Sequence, residues 1–122
     1  MTFARASEPL PAGRLSVSHY KAVHHHFFQE IYSWAGKFRT IRVTKGNSTF
    51  CYPENIPQEM ARLFKWLGER RFLIDLDRGD FAEKAAHFLA KLNAIYPFRE
   101  GNGRTQTPFW RFLQDTRWMS RN

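Results

Sequence analysis

The residues best suited to chemistry lie in one stretch, Tyr96-Pro97-Phe98-Arg99-Glu100-Gly101-Asn102-Gly103-Arg104-Thr105-Gln106. Gly101-Asn102-Gly103 is a permissive tight turn that opens a helical pattern carrying Arg104. Such a turn brings the unpaired N–H groups of a helix N-terminus to one point, where they attract an anion. Arg104 adds a fixed positive charge with several donors, and Glu100 places a carboxylate beside it. On turn chemistry alone, Asn102 between two glycines also suits an ordinary helix cap. What surrounds the turn decides between the two readings.

Two helices must hold this loop. Ala82, Ala85, Ala86, Leu89, Ala90 and Ile95 give the segment before it a small, apolar helical face, with a capping-box-like start at Asp80 and Glu83. Pro97 ends that helix, because it has no N–H to donate and biases Tyr96 away from the helical region. His87 and Asn93 on it are expected to be satisfied core or boundary groups. Upstream, Ser16 stands at an N-cap position before Val17, Tyr20, Val23, Phe27, Phe28 and Ile31, spaced as one helix face, with Gly36 as the stop. His24-His25-His26 cannot converge on one metal ion, since neighbouring helix positions diverge by about 100°; one of the three is expected in the core. From Lys37 to Tyr52 the period falls to two around Gly46-Asn47, which predicts one β-hairpin. A hairpin with an open edge either covers the core or accepts an extended peptide as an added strand. Met60, Leu63, Phe64 and Leu67 mark a further helix through about Arg71, with Pro57 in its first turn. Residues 1–15, with Pro9 and Pro11, read as an extended lead-in to a domain over residues 16–122.

At 122 residues, 43% hydrophobic and 25% charged, the chain has the composition of one soluble globular domain. It has neither an apolar run near the ~20 residues of a membrane span nor a signal-like N-terminus, so the expected location is cytoplasmic, with delivery into another cell left open. A single cysteine, Cys51, excludes an internal disulfide and a Cys-based zinc site. The net charge of +8 suits an anionic ligand, but the cations are scattered and match no nucleic-acid motif. A basic nucleic-acid-binding helical domain is therefore the least supported reading.

The stretch Pro97–Gln106 resembles the signature of the Fic-domain family, His-x-Phe-x-Asp/Glu-Gly-Asn-Gly-Arg-x-x-Arg, and Phe28-Gln29-Glu30-Ile31-Tyr32-Ser33-Trp34-Ala35-Gly36-Lys37-Phe38-Arg39-Thr40 with Lys45-Gly46 is also similar to family sequence. The likeness runs from about Leu10 to about Gln106. It implies a mainly α fold, a helical bundle with one β-hairpin flap, and transfer of AMP from ATP to a hydroxyl of a target protein. By resemblance, Glu100 holds Mg²⁺ against the phosphates. The N–H groups around Gly101, Asn102 and Gly103, with the Asn102 side chain, cradle the α- and β-phosphates. Arg104 neutralises the triphosphate, and Phe98 is the buried anchor. The flap, with Arg39, Thr40, Ile41, Arg42, Lys45 and Gly46, registers the target segment.

The departures bear on activity. Tyr96 stands where the family has the histidine that takes the target's proton, and a phenol, with an ordinary pKa of about 10, is a poor base at neutral pH. Thr107 replaces the second arginine, which the resemblance assigns to the γ-phosphate. Arg111 lies about 10 Å further along the axis than Arg104 and is no substitute. Pro108 falls inside the helix that Asn102 opens. Gln114–Asn122 has no family character, and the further helices expected after the motif do not follow, which reads as decay or a frameshifted terminus. The expectation is an impaired adenylyltransferase; the alternative is a Fic fold that binds a nucleotide or a partner without catalysis. No Ser/Thr-x-x-x-Glu-Gly/Asn helix is present, Thr49 to Glu54 being one residue too long, so inhibition falls to an antitoxin-like partner in trans.

Overall fold

Ser16 does what its position predicts. Its Oγ accepts from the His19 backbone N–H at 3.2 Å, and α1 runs from Val17–Phe28. The fold is seen in a computed structural model that describes residues 13–121; most of the extended lead-in expected over residues 1–15 therefore lies outside the described residues. Leu15, at its end, is already part of the core. After α1 come two short strands, β1 (Thr44–Lys45) and β2 (Ser48–Thr49), then α2 (Ile56–Glu69), α3 (Arg78–Ile95) and α4 (Asn102–Arg121). The fold is mainly helical, as expected. Among the described residues no helix is long and apolar enough to cross a membrane.

α1 packs on α4 and α2 on α3. The apolar positions spaced by three and four close on one aromatic centre. The Phe109 ring, fully buried on α4, meets Tyr20 edge-on at 5.2 Å, Phe64 at 5.5 Å and Phe88 at 6.0 Å. Met60, Leu67, Leu92 and Leu113 complete the centre, each fully buried. Burying each such side chain contributes about 1.5–3 kcal/mol. Pro108 sits inside α4 without interrupting it. The ring has no N–H for the Arg104 carbonyl, a defect costing about 3 kcal/mol in a helix interior, and the buried Pro108-Phe109 pair offsets it by packing.

Four expectations need correction. α1 ends at Phe28, not near Trp34: the Ile31 and Tyr32 N–H groups both close on the Phe28 carbonyl at 2.9 Å, and the chain then folds back on α1. At Gly36 (φ +80°) a Cβ would stand 2.9 Å from the His25 Cβ, so only glycine fits there, and Ile31 is left 44% exposed. The hairpin is shorter than Lys37–Tyr52, pairing only Thr44 with Thr49 and Lys45 with Ser48. Its flanks bond elsewhere, the Arg39 N–H to the Pro97 carbonyl at 2.9 Å and the Cys51 N–H to that of Ala94 at 3.4 Å. α3 starts at Arg78, because Asp77, extended and with Oδ1 accepting from the Asp80 N–H, is the cap. Asp80 thus lies in the first turn, where a carboxylate complements the helix dipole. His87 and Asn93 are exposed rather than in the core or its boundary.

Candidate active site

α3 delivers the loop. At its end Tyr96 takes a left-handed conformation (φ 51°, ψ 64°) that turns the chain. The last carbonyls of a helix lack intrahelical donors, and here Arg39 supplies them. Its Nε donates to the Tyr96 carbonyl at 2.7 Å and Nη2 to that of Ile95 at 3.1 Å. The same guanidinium reaches the carbonyls of Ile41 (2.7 Å) and Cys51 (2.6 Å). A cation at a helix C-terminus is also favoured by the dipole. Burial lowers the Arg39 pKa. Arg39 is only 4% exposed, so it is not a target-contacting flap residue, as the sequence suggested. It ties α3, the loop and the hairpin base together.

Beyond Pro97 the loop is held from beneath. Phe98 is fully buried, as expected of the anchor, and stacks on the His24 ring at 3.8 Å between centroids. His24 is the buried member of the histidine run. Its Nδ1 accepts from the Gly36 N–H at 2.9 Å, so Nε2 carries the proton and donates to the Glu100 carbonyl at 2.8 Å. Burial, with no carboxylate to repay it, pushes the imidazole pKa down to about 4. His24 is thus a neutral strut between α1, the turn at Gly36 and the loop. Gly101 has φ +82°, and a Cβ there would collide with the Phe28 ring.

Asn102 is the second inward-facing residue. Its Oδ1 accepts from the Phe98 N–H at 3.0 Å and its Nδ2 donates to the Phe98 carbonyl at 2.7 Å. Only 1% exposed, it closes the loop on itself, and its side chain does not face an incoming phosphate. The cradle left by this geometry is backbone. Thr105 closes the first helical turn, N–H and Oγ1 both donating to the Gly101 carbonyl. The N–H groups of Asn102, Gly103 and Arg104 precede the first i−4 acceptor of α4 and have no partner within the helix. At Gly103 a Cβ would meet nothing within 4 Å, so the cradle faces open space.

The charged groups stand around that opening. Glu100 is exposed, and its Oε2 accepts from the Tyr32 O–H at 2.7 Å. The hydrogen bond to this carboxylate raises the Tyr32 pKa, while Arg104 pulls the other way. Tyr32 is braced by Trp34, the rings stacked at 4.2 Å. Arg104 and Thr107 are both exposed on α4. The Tyr96 ring, half-buried, stacks on Phe50 at 4.1 Å, with the Lys45 ammonium 5.7 Å from its centroid. Thr40, Ile41, Arg42, Lys45 and Gly46 are exposed. A concavity of about 640 Å³ lies between Phe50–Tyr52, Trp66 and Lys91 and includes no residue of 96–107. The loop opens at the surface instead.

The loop, its frame and the segment around Trp34 match known proteins over nearly the whole chain. The sequence profile of the Fic/DOC family matches residues 14–112. The chain belongs to that family. A probable protein adenylyltransferase of Sinorhizobium fredii, y4lH, is 52% identical over 111 residues, covering 90% of this chain and 58% of that protein. The N-terminal Fic domain of a Bartonella sp. AR 15-3 effector protein superposes with a TM-score of 0.84 at 25% identity, over 94% of this chain and 57% of the other. BepC of Bartonella tribocorum, a translocated effector solved with bound AMPPNP, gives a TM-score of 0.78 at 25% identity, over 94% and 61%. This Fic chain therefore spans rather more than half the length of these relatives.

Several of the Fic loop's working residues were not visible as such in the sequence. One histidine of the run was expected in the core, and it is His24, but its bonds to Gly36 and Glu100 were not foreseen. Tyr32 and Arg39 gave no signal for the partners they find, because Glu100 lies 68 residues from Tyr32 and Tyr96 lies 57 from Arg39.

Proposed function

We propose that this chain forms the nucleotide-handling core of a protein adenylyltransferase, moving AMP from ATP to a hydroxyl of a target protein. The observation that carries this reading is the backbone cradle at Asn102, Gly103 and Arg104, open to solvent at Gly103 and flanked by Glu100 and Arg104, within a Fic/DOC chain. In the reaction the target oxygen attacks the α-phosphorus, its proton leaves to a base, and the bond to pyrophosphate breaks. The cradle N–H groups and Arg104 receive the charge of the polyphosphate, and the related BepC carries a nucleotide analogue.

The donors around Glu100 fit Mg²⁺. This ion commonly takes one or two carboxylates and fills its shell with phosphate oxygens and water, and Glu100 is one exposed carboxylate already oriented by Tyr32. Bound there, Mg²⁺ would supply charge neutralisation at the phosphates. Among the described residues no cluster of three or more His, Cys, Asp or Glu offers an all-protein site.

Transfer is impaired in this reading, since the residue at the base position is Tyr96. Losing a general base lowers rate by roughly 10²–10⁴. Thr107 offers no charge to the γ-phosphate, and an inhibitor in trans that clamps the second arginine would find none here. A second reading, nucleotide binding without transfer, is favoured by the Tyr96 ring being stacked on Phe50. Incubation with α-labelled ATP, Mg²⁺ and lysate, beside Tyr96→His and Tyr96→His/Thr107→Arg, separates them. Labelling that rises in the variants supports the impaired enzyme. Labelling by the unaltered chain at the double variant's rate would refute impairment, and ATP-induced thermal stabilisation without labelling in any variant would leave binding alone.

A further inference from the structure

We infer that Tyr32 is a positioning residue for Glu100: its hydroxyl pins one carboxylate oxygen, leaves the other open to a metal, and thereby favours Mg²⁺ over Ca²⁺ beside the phosphates. The metal and the phosphates rest on the adenylyltransferase reading; the pinning does not. Glu100 is exposed, and an exposed glutamate ordinarily samples many rotamers. Here the residue is held at both ends. Its carbonyl accepts from His24 Nε2 at 2.8 Å. Its Oε2 accepts from the Tyr32 O–H at 2.7 Å, a short separation typical of a hydroxyl on an ionised carboxylate. Among the described residues no Lys or Arg makes an ion pair with Glu100, and Oε1 is left without a partner.

The groups that hold Glu100 are themselves fixed. Tyr32 lies in the turn that ends α1, its N–H donating to the Phe28 carbonyl at 2.9 Å. Its ring stacks on Trp34, 4.2 Å between centroids and 11° between planes, and leans on Phe28 at 5.8 Å. Trp34 also stacks on the His24 ring at 6.0 Å, so one indole braces both donors. Phe28 in turn lies so close to Gly101 that no Cβ fits between them. The turn after α1 and the loop thus form one bracket, with the carboxylate at its rim. A carboxylate chelates a cation through both oxygens only by turning its plane until both face the ion. With Oε2 held by Tyr32, Glu100 offers one oxygen. Mg²⁺ suits this, because its compact octahedral shell is commonly filled by a carboxylate or two, phosphate oxygens and water. Ca²⁺ takes about six to eight oxygens in flexible geometry, often both of one carboxylate, and a pinned side chain denies it the second. Partners that orient a ligating carboxylate are worth roughly 10–100-fold in metal affinity.

The test is the dissociation constant of the fluorescent analogue mant-ATP, without any target, in EDTA and in saturating Mg²⁺ or Ca²⁺. The affinity gained over EDTA is the metal's contribution, and in the unaltered chain Mg²⁺ is expected to give the larger gain. Tyr32→Phe keeps a ring on Trp34 and removes only the hydroxyl, so its melting temperature and its binding in EDTA are expected to stay unchanged. Its Mg²⁺ gain is expected to fall on the order of tenfold, while its Ca²⁺ gain holds or rises. A merely structural role for Tyr32 would lower the melting temperature and all three affinities together. That result, or Mg²⁺ and Ca²⁺ gains equal to those of the unaltered chain, would overturn the positioning role and leave the adenylyltransferase reading standing. Glu100→Gln checks that reading separately and is expected to abolish the Mg²⁺ gain. A Mg²⁺ gain that survives Glu100→Gln, or no mant-ATP binding in any condition, would overturn the reading and the inference with it.

Discussion

The loop at 96–107 and the hairpin segment meet at Arg39, yet they are built in opposite ways. The loop shows solvent a backbone, and every side chain that shapes it points inward: Phe98 on His24, Asn102 on Phe98 and Arg39 on the carbonyls of Ile95 and Tyr96. The flap shows its side chains and has a ladder of only two residue pairs. An anion is recognised by fixed N–H groups, so the loop must be rigid before ligand arrives. The hairpin, with so few ladder bonds, is held at its base by Arg39 instead. In the loop, then, substitutions should register strongly as stability, and on the exposed face of the flap only weakly.

Arg39→Met should break this contrast most severely. It strips donors from four carbonyls and is expected to cost about 3–5 kcal/mol. Urea unfolding measures this; a loss below about 1 kcal/mol would mean that Arg39 is not the tie between the two regions. Next comes His24. Its folded pKa of about 4 lies below the ordinary value near 6.5, so between the two the unfolded chain binds more protons. Stability is therefore full above about pH 6.5 and falls as pH drops toward 4, by at most about 3 kcal/mol. His24→Gln should flatten that profile in thermal melts from neutral to acid pH.

Tyr20 refines the comparison at smaller scale. It lies under Phe98, is fully buried, and its hydroxyl has no hydrogen-bond partner among the described residues. Tyr20→Phe removes only that unsatisfied group and should stabilise by about 1 kcal/mol, read as a shift of the unfolding midpoint; destabilisation would show that the hydroxyl has a partner. The smallest effect belongs to the flap. Arg42→Ala should stay within about 0.5 kcal/mol of the unaltered protein, read by urea unfolding. If it unfolds the protein, the flap is no less structural than the loop.

The helices were legible where one face had to be buried. Val17 to Phe28 and Met60 to Leu67 repeat at three and four, and Ser16, Pro57 and Pro97 mark ends that the structure keeps. On α3 the buried face is Phe81, Ala85, Phe88, Leu92 and Ile95, whereas Ala82, Ala86 and Ala90 of the expected alanine face are exposed, because the larger side chains take the core positions. Element ends were less legible. Asp77, not Asp80, caps α3, and the turns after Phe28 close on α1 through Gly36, which no local pattern announces. Alternation over Lys37–Tyr52 identified a hairpin but overstated its length and missed its flanking partners, since Arg39 and Cys51 bond to Pro97 and Ala94 in place of each other's strand.

By itself the sequence determined the loop's chemistry: glycines that permit the turn, Glu100 and Arg104 beside it, and Tyr96 and Thr107 at positions where the family's base and second arginine stand. These follow from residue type and short spacing, which local sterics and charge fix. Only the tertiary structure decided which polar groups serve ligands and which serve the fold. Arg39, His24 and Asn102 carry the same donors and acceptors as any surface residue. They became internal struts because packing removed water from them and left backbone groups, many residues away in the chain for Arg39 and His24, as the partners within reach.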